Sequence, residues 1–390
     1  MVEYKKLNEI ATIINGYAFK SSKYITNGYR VIRITNVQKG FLCDDDPKYY
    51  AQENSLSKYE LFEKDILISL TGNVGRVGFV EKDILPAYLN QRVGCIRINS
   101  ETILPRYLFH FLNNDLFEQM CIKEAKGIAQ LNLSTEWLKN VRVRVPSLED
   151  QQRIVKILDK AEEIRIKKKL ANEKLDEFLK STFIDMFGDP VTNPKDFPTQ
   201  KLNDIATLKN GINFLKGDSG FEVKCLGVSN FKDNNFIVDS TNFNVVEVSN
   251  KPSEDYYLKK NDIVFVRSNG SKELVGRTVL IKTEGKIVFS GFCIRCRLTS
   301  NMNPIYLLML LKTESMKNAF SHDGHGCNIK SLNQQMLGNL DIIISPLELQ
   351  NQFAQIVHKV EAQKEKNQKV IEQMDNLFNS LMQQAFNGEM

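Results

Sequence analysis

Polar side chains able to hydrogen-bond nucleobases and phosphates gather in several short segments of this chain. Arg and Lys suit guanine edges and phosphate oxygens, while Asn and Gln suit adenine edges. The candidate binding residues of the first half are Tyr17, Lys20, Ser21, Arg33, Asn36, Thr71, Asn73, Arg76, Asn90, Gln91 and Arg92. Those of the second half are Asn213, Lys216, Ser229, Asn230, Arg267, Ser268, Asn269, Lys272, Arg277, His325, Asn328 and Lys330.

Each of these residues, taken alone, is more typical of a solvated loop than of a binding site. The pattern recurs in both halves of the chain, however, and the recurrence favours a binding surface. A formal net charge of +5 permits nucleic-acid binding without requiring it, because binding depends on whether the basic residues cluster in space.

No recognisable catalytic motif accompanies these residues. The sequence lacks the phosphate-binding Gly-x-x-x-x-Gly-Lys-Ser/Thr loop, so no ATP-driven motor is encoded. Residues 71–78, TGNVGRVG, lie between two strand-like runs instead of opening a helix, which predicts a turn and not a phosphate cradle. Asn193-Pro194-Lys195 is not the Asn/Asp-Pro-Pro-aromatic motif of amino-methyltransferases. The four histidines lie outside any nucleophile motif.

One cluster has the composition of a zinc site, namely Cys293-x-x-Cys296 with His322, His325 and Cys327 downstream. The segment around the two cysteines is strand-like, and residues three apart on a strand point to opposite faces. The first half has no counterpart, so we predict no metal site. The seven scattered cysteines are typical of reduced thiols.

The two halves repeat one series of motifs in the same order. KLNEIATIING at residues 6–16 returns as KLNDIATLKNG at 201–211, and DILIS at 65–69 returns as DIVFV at 262–266. The other pairs are GR at 75–76 and 276–277, RINS at 97–100 with RLTS at 297–300, P-x-Y-L at 105–108 and 304–307, and LE-x-Q at 148–151 and 347–350. This period is far longer than the roughly 20–50 residues of a solenoid unit. It predicts one domain and one helix, duplicated.

Short apolar runs rich in β-branched residues predict strands in each half. In the first half they cover residues 31–37, 65–70 and 93–98, and in the second half 223–228, 262–266 and 286–298. A helical pattern follows in each half, at 105–120 and 303–320. These patterns predict that both halves are mixed α/β domains.

Two long segments have helical periodicity without Pro or Gly, at residues 148–186 and 347–386. Apolar residues recur at spacings of three and four, typical of a helix that packs on another helix. Each segment follows a proline, and Gly188 and Gly388 are suited to cap the ends. Polar stretches at 165–169 and 363–369 would face each other if the helices pair as an antiparallel coiled coil, which we predict.

These patterns divide the chain into five segments. The first domain spans residues 1–145, the first helical region 146–187, a proline-containing linker 188–199, the second domain 200–345 and the second helical region 346–390. The predicted fold class is mixed α/β (α+β), with two similar globular domains and two long helices in a pseudo-two-fold arrangement. The polar start and the lack of about 18 consecutive apolar residues predict a cytoplasmic protein without membrane segments.

The motifs together resemble the DNA-specificity (S) subunits of type I restriction–modification systems. The likeness spans the chain: KLNEIATIINGYAFKSS and KLNDIATLKNGINF, EKDILISLTGNVGRVG and NDIVFVRSNGSKELVGR, PSLEDQQRIVKIL and PLELQNQFAQIV, MFGDPVTNP, QQAFNGEM, and Asn90-Gln91-Arg92. The second domain departs at the last motif, with Phe289-Ser290-Gly291 in its place.

The resemblance implies an order of target-recognition domain, helical region, target-recognition domain and helical region. It also implies that each domain binds one half of a split double-stranded DNA site, while the helices hold two methyltransferase (M) subunits. Endonuclease/translocase (R) subunits would join that core. We expect no cofactor in this chain, with S-adenosylmethionine, ATP and Mg²⁺ in the partner subunits.

Two other hypotheses remain open at the level of sequence. The chain could be a fused or stand-alone DNA methyltransferase or nuclease with its own active site. It could also be an inactive scaffold that has lost its affinity for DNA. An assay of the pure chain for methyl transfer and cleavage separates the enzyme from the non-catalytic subunit.

Overall fold

The computed structural model describes residues 3–127, 130–214, 219–231, 235–237, 243–268, 274–321 and 331–387. The chain divides into two compact units. Unit 1 comprises Met1–Lys169 with Gln368–Met390, and unit 2 comprises Leu170–Asn367. This division follows spatial packing, whereas the five segments predicted above follow sequence texture, and their boundaries stay a prediction.

Unit 1 contains a mixed α/β domain and part of each long helix. Its strands are β1 (Glu3–Lys6), β2 (Ala11–Asn15), β3 (Tyr29–Ile32), β4 (Tyr49–Tyr50), β5 (Ile66–Ser69), β6 (Val77–Phe79), β7 (Ala87–Leu89), β8 (Val93–Ile98) and β9 (Arg142–Val145). Its short helices are α1 (Leu7–Ile10), α2 (Pro105–Leu112), α3 (Asp115–Glu124) and α4 (Thr135–Lys139), and the long helix α5 (Leu148–Phe187) begins here.

Two sheets organise the domain of unit 1. One is antiparallel with the order β2-β8-β5-β6, and the other has the order β4-β3-β7, with β3 and β7 parallel. Strand β5 is buried on both faces: Ile66 and Ile68 belong to the core under α2, while Leu67 belongs to the core on the opposite face. This is the period-two alternation of a strand, with both faces apolar because both are covered.

Unit 2 has the corresponding elements in the same order. Its strands are β10 (Thr199–Lys201), β11 (Ala206–Asn210), β12 (Phe221–Leu226), β13 (Phe236–Ile237), β14 (Asn244–Val248), β15 (Ile263–Val266), β16 (Thr278–Ile281), β17 (Ile287–Phe289), β18 (Cys293–Leu298) and β19 (Asp341–Ile343). Its short helices are α6 (Leu202–Ile205), α7 (Pro304–Leu311), α8 (Glu314–Ser321) and α9 (Gln334–Gly338), and the long helix α10 (Leu347–Asn387) follows them.

The two domains share one strand topology, as the duplicated motifs predict. The sheets of unit 2 have the orders β11-β18-β15-β16-β13 and β14-β12-β17, and β12 and β17 run parallel. Among the described strands, only β13 lacks a counterpart in unit 1; it extends the larger sheet beside β16. The expectation of two similar mixed α/β domains is confirmed.

Several predicted elements are shorter in the structure than in the sequence pattern. The helix predicted at 105–120 is two helices, because Asn114 caps α3 by accepting a hydrogen bond from the backbone N–H of Phe117 at 2.9 Å. The helix predicted at 303–320 divides likewise into α7 and α8. The run at 286–298 is two strands, β17 and β18, separated by a turn at residues 290–292.

The repeated Asp and Arg of the motifs form a buried ion pair in each domain. Arg97 donates to both carboxylate oxygens of Asp65, at 2.9 and 2.7 Å. Arg297 does the same to Asp262, at 2.7 Å for both bonds. Each aspartate also accepts a backbone N–H of the preceding turn, so these pairs tie the start of β5 or β15 to the neighbouring strand.

The repeated glutamine of the LE-x-Q motif attaches each long helix to its domain. Gln151 is fully buried; its side-chain oxygen accepts the backbone N–H of Leu104 at 2.8 Å, and its amide donates to two backbone carbonyls. Gln350 accepts the N–H of Asn303 at 2.8 Å and donates to Ser345. The motif thus fixes the first turn of the helix to the segment before α2 or α7.

Within each unit the two long helices pack antiparallel. In unit 2, Asn172 contacts Asn367, Asp176 contacts Lys364, and the rings of Phe183 and Phe187 contact Phe353, so one helix advances as the other retreats. In unit 1, Arg165 of α5 lies 3.7 Å from Asp375 of α10. The predicted antiparallel pairing is confirmed. The polar stretches 165–169 and 363–369 do not face each other as predicted, because Arg165 lies opposite Asp375 and Asn367 contacts Asn172.

Helix α5 ends as its sequence predicts. Gly188 has a positive φ of 76°, and its N–H donates to Ile184 at 2.8 Å. The ammonium of Lys195 in the linker donates to the carbonyls of Asp185 and Met186, which leaves these terminal acceptors satisfied. In the part of the chain that the structure describes, no helix combines the length and apolar character needed to cross a membrane.

Candidate nucleic-acid interface

The turns that carry the candidate residues of unit 1 meet at one end of its sheets. The N–H of Tyr17, after β2, donates to Leu89 at 2.9 Å, and the N–H of Gln91 returns a bond of 2.9 Å to Tyr17. The N–H of Leu70, after β5, donates to Arg92 at 3.1 Å. We call this end, formed by Tyr17, residues 70–73 and residues 90–92, edge 1.

Two further segments join edge 1. The N–H of Asn90 donates to Ile32 at 3.2 Å, because the parallel strands β3 and β7 end side by side, and Arg33 therefore follows directly. On the other side Thr71 pairs with Asn132 in an isolated antiparallel bridge. Candidate residues from separate parts of the sequence thus come together on a single hydrogen-bonded frame.

Unit 2 has the same frame, which we call edge 2 and define by Ile212, residues 267–268 and residues 290–292. The N–H of Ile212 donates to Phe289 at 2.9 Å, and the N–H of Gly291 returns a bond of 2.6 Å to Ile212. The N–H of Arg267 donates to Phe292 at 2.8 Å. Each bond has its counterpart in edge 1.

These hydrogen bonds correct the register predicted from sequence. Tyr17 bridges to Asn90 and Ile212 bridges to Ser290, so the counterpart of Asn90-Gln91-Arg92 begins at Ser290. The triplet is Ser290-Gly291-Phe292, one residue later than Phe289-Ser290-Gly291, because Phe289 is still the last residue of β17. A turn has no periodicity by which sequence alone could set this register.

The side chains on the two frames differ at nearly every matched position. Tyr17 corresponds to Ile212, and Arg92 corresponds to Phe292. Leu70, buried in unit 1, corresponds to Arg267, which is half-buried. Each edge thus has one arginine and one apolar residue at this hydrogen-bonded pair of positions, but in opposite order: Leu70 bonds to Arg92, whereas Arg267 bonds to Phe292. Equivalent backbone hydrogen bonds with different side chains suit two domains that bind different base sequences.

Three candidate residues of unit 1 use their polar groups within the domain. Asn36 is buried, accepts the backbone N–H of Arg33 at 2.9 Å and donates to Cys43. The guanidinium of Arg33 donates to Asp46. The guanidinium of Arg76 donates to Gln38 at 3.1 Å. These contacts indicate that the three residues shape the loops, and their contact with DNA stays a prediction.

Other candidates present their side chains to solvent. Tyr17 is 38% exposed, with its ring against Phe19 and Tyr59. Arg92 is exposed, and its guanidinium bonds to none of the described residues. The remaining exposed candidates are Lys20, Ser21, Asn73, Gln91, Asn213 and Ser229. Half-buried candidates are Thr71, Asn90, Asn230, Arg267, Ser268 and Arg277.

Six candidates lie outside the described residues: Lys216, Asn269, Lys272, His325, Asn328 and Lys330. Phe292, which is 60% exposed on edge 2, is not among the residues predicted from the sequence. An aromatic residue directly after Ser-Gly in a turn was the available signal.

The glycine-rich segment of unit 1 is a turn between β5 and β6, as predicted. Gly75 has a φ of +83°, and a Cβ there would lie 2.7 Å from the Cβ of Cys121. Gly276 of unit 2 has a φ of +84°. Glycine is therefore conserved between the repeats because the turn needs a left-handed residue, and not for phosphate binding.

The two cysteines of the zinc-like cluster face different cores. Cys293 packs against the core that contains Phe289, and Cys296 packs in the core that contains Phe265. Burial raises the pKa of both thiols to about 12. The prediction that β18 separates these side chains is confirmed, while His322, His325 and Cys327 lie outside the described residues.

One other group in unit 1 has the composition of a metal site. His110, Asp159 and Glu162 each bring a ligand atom within 4.8 Å of the others. A cation is already present, because Arg106 donates to Asp159 at 2.9 Å and lies 3.6 Å from Glu162. Burial raises the pKa of Asp159, but hydrogen bonds from His110 and Arg106 outweigh it and leave this pKa below its ordinary value. The group therefore reads as an ionic link between α2 and α5.

The family profile described as "Type I restriction modification DNA specificity domain" matches residues 1–174 and 194–374. The type I restriction enzyme StySPI specificity subunit of Salmonella potsdam is 23% identical over 98% of this chain and 88% of its own. The EcoKI specificity subunit of Escherichia coli (strain K12) is 22% identical with the same coverage.

Solved structures show the same fold. The type I restriction–modification S subunit from M. genitalium aligns with a TM-score of 0.52 and 14% identity, covering 99% of this chain and 96% of its own. A chain solved in work on complex assembly and conformational transition of the type I R-M system aligns with a TM-score of 0.59 and 16% identity, covering 100% and 98%. With two family matches that together span most of its length, this chain belongs to the type I restriction–modification DNA-specificity family.

Proposed function

We propose that this chain is the non-catalytic subunit that selects the DNA target of a type I restriction–modification complex. Edge 1 binds one half of a bipartite, asymmetric site and edge 2 binds the other half. The observation that carries this proposal is the shared backbone frame with exchanged side chains, Arg92 and Leu70 against Phe292 and Arg267. Equal frames approach DNA alike, while different side chains select different bases.

The long helices, in this proposal, hold two methyltransferase subunits, and endonuclease/translocase subunits complete the assembly. The buried glutamines Gln151 and Gln350 fix the first turn of each helix to a reading domain, so a partner held by the helices has a defined orientation toward the edge. S-adenosylmethionine, ATP and Mg²⁺ act in those partners. Adenine methylation requires a flipped base in a shaped cofactor pocket, which we assign to them. The complex works in the cytoplasm.

Affinity for DNA is modest for the isolated subunit and increases on assembly. A net charge of +5 supplies few phosphate contacts, and phosphate contacts dominate affinity and its salt dependence. We expect weak, salt-sensitive binding by the chain alone and tight binding by the chain with methyltransferase subunits.

A domain exchange tests the proposal. Residues 200–345 are replaced by the equivalent domain of a relative with a different target, and the methylated sites of the host genome are mapped. We expect one half-site to change and the other to persist. A hybrid that alters both halves contradicts independent reading, and a purified wild-type chain that methylates or cleaves DNA unaided replaces this proposal with the enzyme hypothesis.

A further inference from the structure

The aromatic side chain on edge 2, Phe292, belongs to none of the hydrophobic cores formed by the described residues of unit 2. Phe292 is 60% exposed, although burying a phenyl side chain would stabilise a protein by about 1.5–3 kcal/mol. Its neighbours in the turn are Ser290 and Gly291, which offer it no apolar cover. A residue that serves the core would point inward, as Cys293 does in the next position.

The backbone of Phe292 is nevertheless held firmly. Its carbonyl accepts the N–H of Arg267 at 2.8 Å, and its own N–H donates to the hydroxyl of Ser290 at 3.3 Å. The N–H of Cys293 closes the turn on the carbonyl of Ser290 at 2.8 Å. An exposed apolar ring on a hydrogen-bonded backbone can contact a partner with little further loss of backbone entropy.

The counterpart of Phe292 in edge 1 is Arg92, whose guanidinium forms no hydrogen bond or ion pair with the described residues. Arginine at this position suits the two acceptors of a guanine edge. In the major groove, thymine is the base that instead presents an apolar group, its C5-methyl, and phenylalanine contacts it favourably. The same frame position can therefore read an acceptor pair in one half-site and a methyl group in the other.

Resting on the function proposed above, we propose that Phe292 is a specificity-determining residue that contacts the C5-methyl of a thymine in the half-site of edge 2. Arg267, bonded to it through the backbone, supplies the cation of this edge at the position that Leu70 fills in edge 1. Edge 2 thus selects one base pair by shape and apolar contact where edge 1 selects by hydrogen bonds.

The test removes the methyl group from the DNA without altering base pairing. The full chain is assembled with its methyltransferase subunits, and duplexes are prepared in which each thymine of the mapped target is replaced singly by deoxyuridine. We expect one substitution, in the edge 2 half-site, to weaken wild-type binding about three- to tenfold, as loss of roughly one buried methyl implies. The Phe292→Ala complex should bind the thymine and uracil duplexes equally, and Phe292→Leu should restore part of the preference.

Uracil substitutions in the edge 1 half-site are the matched control, and Phe292→Ala should leave their effects unchanged. Equal binding of every uracil duplex by wild type overturns the inference without needing any variant to fold. A Phe292→Ala complex that keeps the preference for thymine overturns it as well, and so does an edge 2 half-site that contains no thymine on either strand. Failure of the proposed function looks different, because the wild-type complex would then bind the mapped target no better than a scrambled duplex.

Discussion

Replacing Asp65 by alanine should destabilise unit 1 by about 3 kcal/mol and leave unit 2 unaffected. The carboxylate is 3% exposed and accepts two guanidinium bonds from Arg97 and one from the backbone N–H of Phe62. Removing one partner of a buried pair costs about 3–5 kcal/mol because the other charge is left uncompensated. The Arg97 side chain is 28% exposed, so water partly solvates the charge that Asp65→Ala would leave unpaired. We therefore expect a loss of stability at the lower end of this range.

Hydrogen exchange followed by mass spectrometry measures this effect locally in the full chain, where a single unfolding transition is not assured. At 1.4 kcal/mol per factor of ten, the opening constant of β5 and β8 should rise by more than a hundredfold. Asp262→Ala gives the mirror-image experiment, because its ion pair with Arg297 has the same geometry in unit 2.

Glu136→Ala is a matched surface control, since its carboxylate is 75% exposed in the pair with Lys139. Such a pair contributes between 0 and about 1 kcal/mol. A double variant, Asp65→Leu with Arg97→Met, should lose less stability than Asp65→Ala alone because no charge remains buried. The reasoning is refuted if protection of β5 and β8 changes less than tenfold in Asp65→Ala, or if both units respond equally.

Three further outcomes can be measured. Arg92→Ala should weaken binding of the specific target by about 1–3 kcal/mol and relax one base of the edge 1 half-site, whereas an equal loss on random DNA in a titration would assign Arg92 to phosphate contact. Burial lowers the pKa of Lys312 to about 8 from 10.5. Between these values the unfolded chain binds a proton that the native state lacks, so the stability of unit 2 should rise from pH 8 to 10.5. Lys312→Met should flatten that rise, measured as hydrogen-exchange protection of unit 2 relative to the intrinsic exchange rate at each pH. Gln350→Ala should leave the N–H of Asn303 unpaired and lower the free energy of local opening at the start of α10 by about 1–3 kcal/mol. Gln151→Ala should have the same effect at the start of α5. Unchanged hydrogen exchange at these helix starts would contradict the attachment of the helices by the two glutamines.

The sequence by itself determined the duplication and the class of each domain. Asp65 and Arg97, and Gln151 at the helix start, recur because each satisfies a buried polar partner that the fold supplies twice. Loss of one such residue leaves a buried polar group without its hydrogen bond, which is destabilising. This cost explains why the same residues recur at the same spacing in both halves while other positions differ. Helical periodicity without Pro or Gly likewise predicted both long helices to within a residue or two of their observed ends.

Only the tertiary structure shows which candidate polar side chains hydrogen-bond within their own domain. Asn36 and Arg33 have the residue types of a reading surface, yet their side chains bond within unit 1. Arg92 and Phe292 became matched positions only through the hydrogen bonds of the frame, because a turn carries no repeating pattern that aligns one with the other. Apolar periodicity shows that a helix has a buried face, but the partner of that face depends on contacts far apart in sequence. Only the packing shows which parts of the helices belong together. The first part of α5 lies in unit 1 with the last part of α10, and the remaining parts of both helices lie in unit 2.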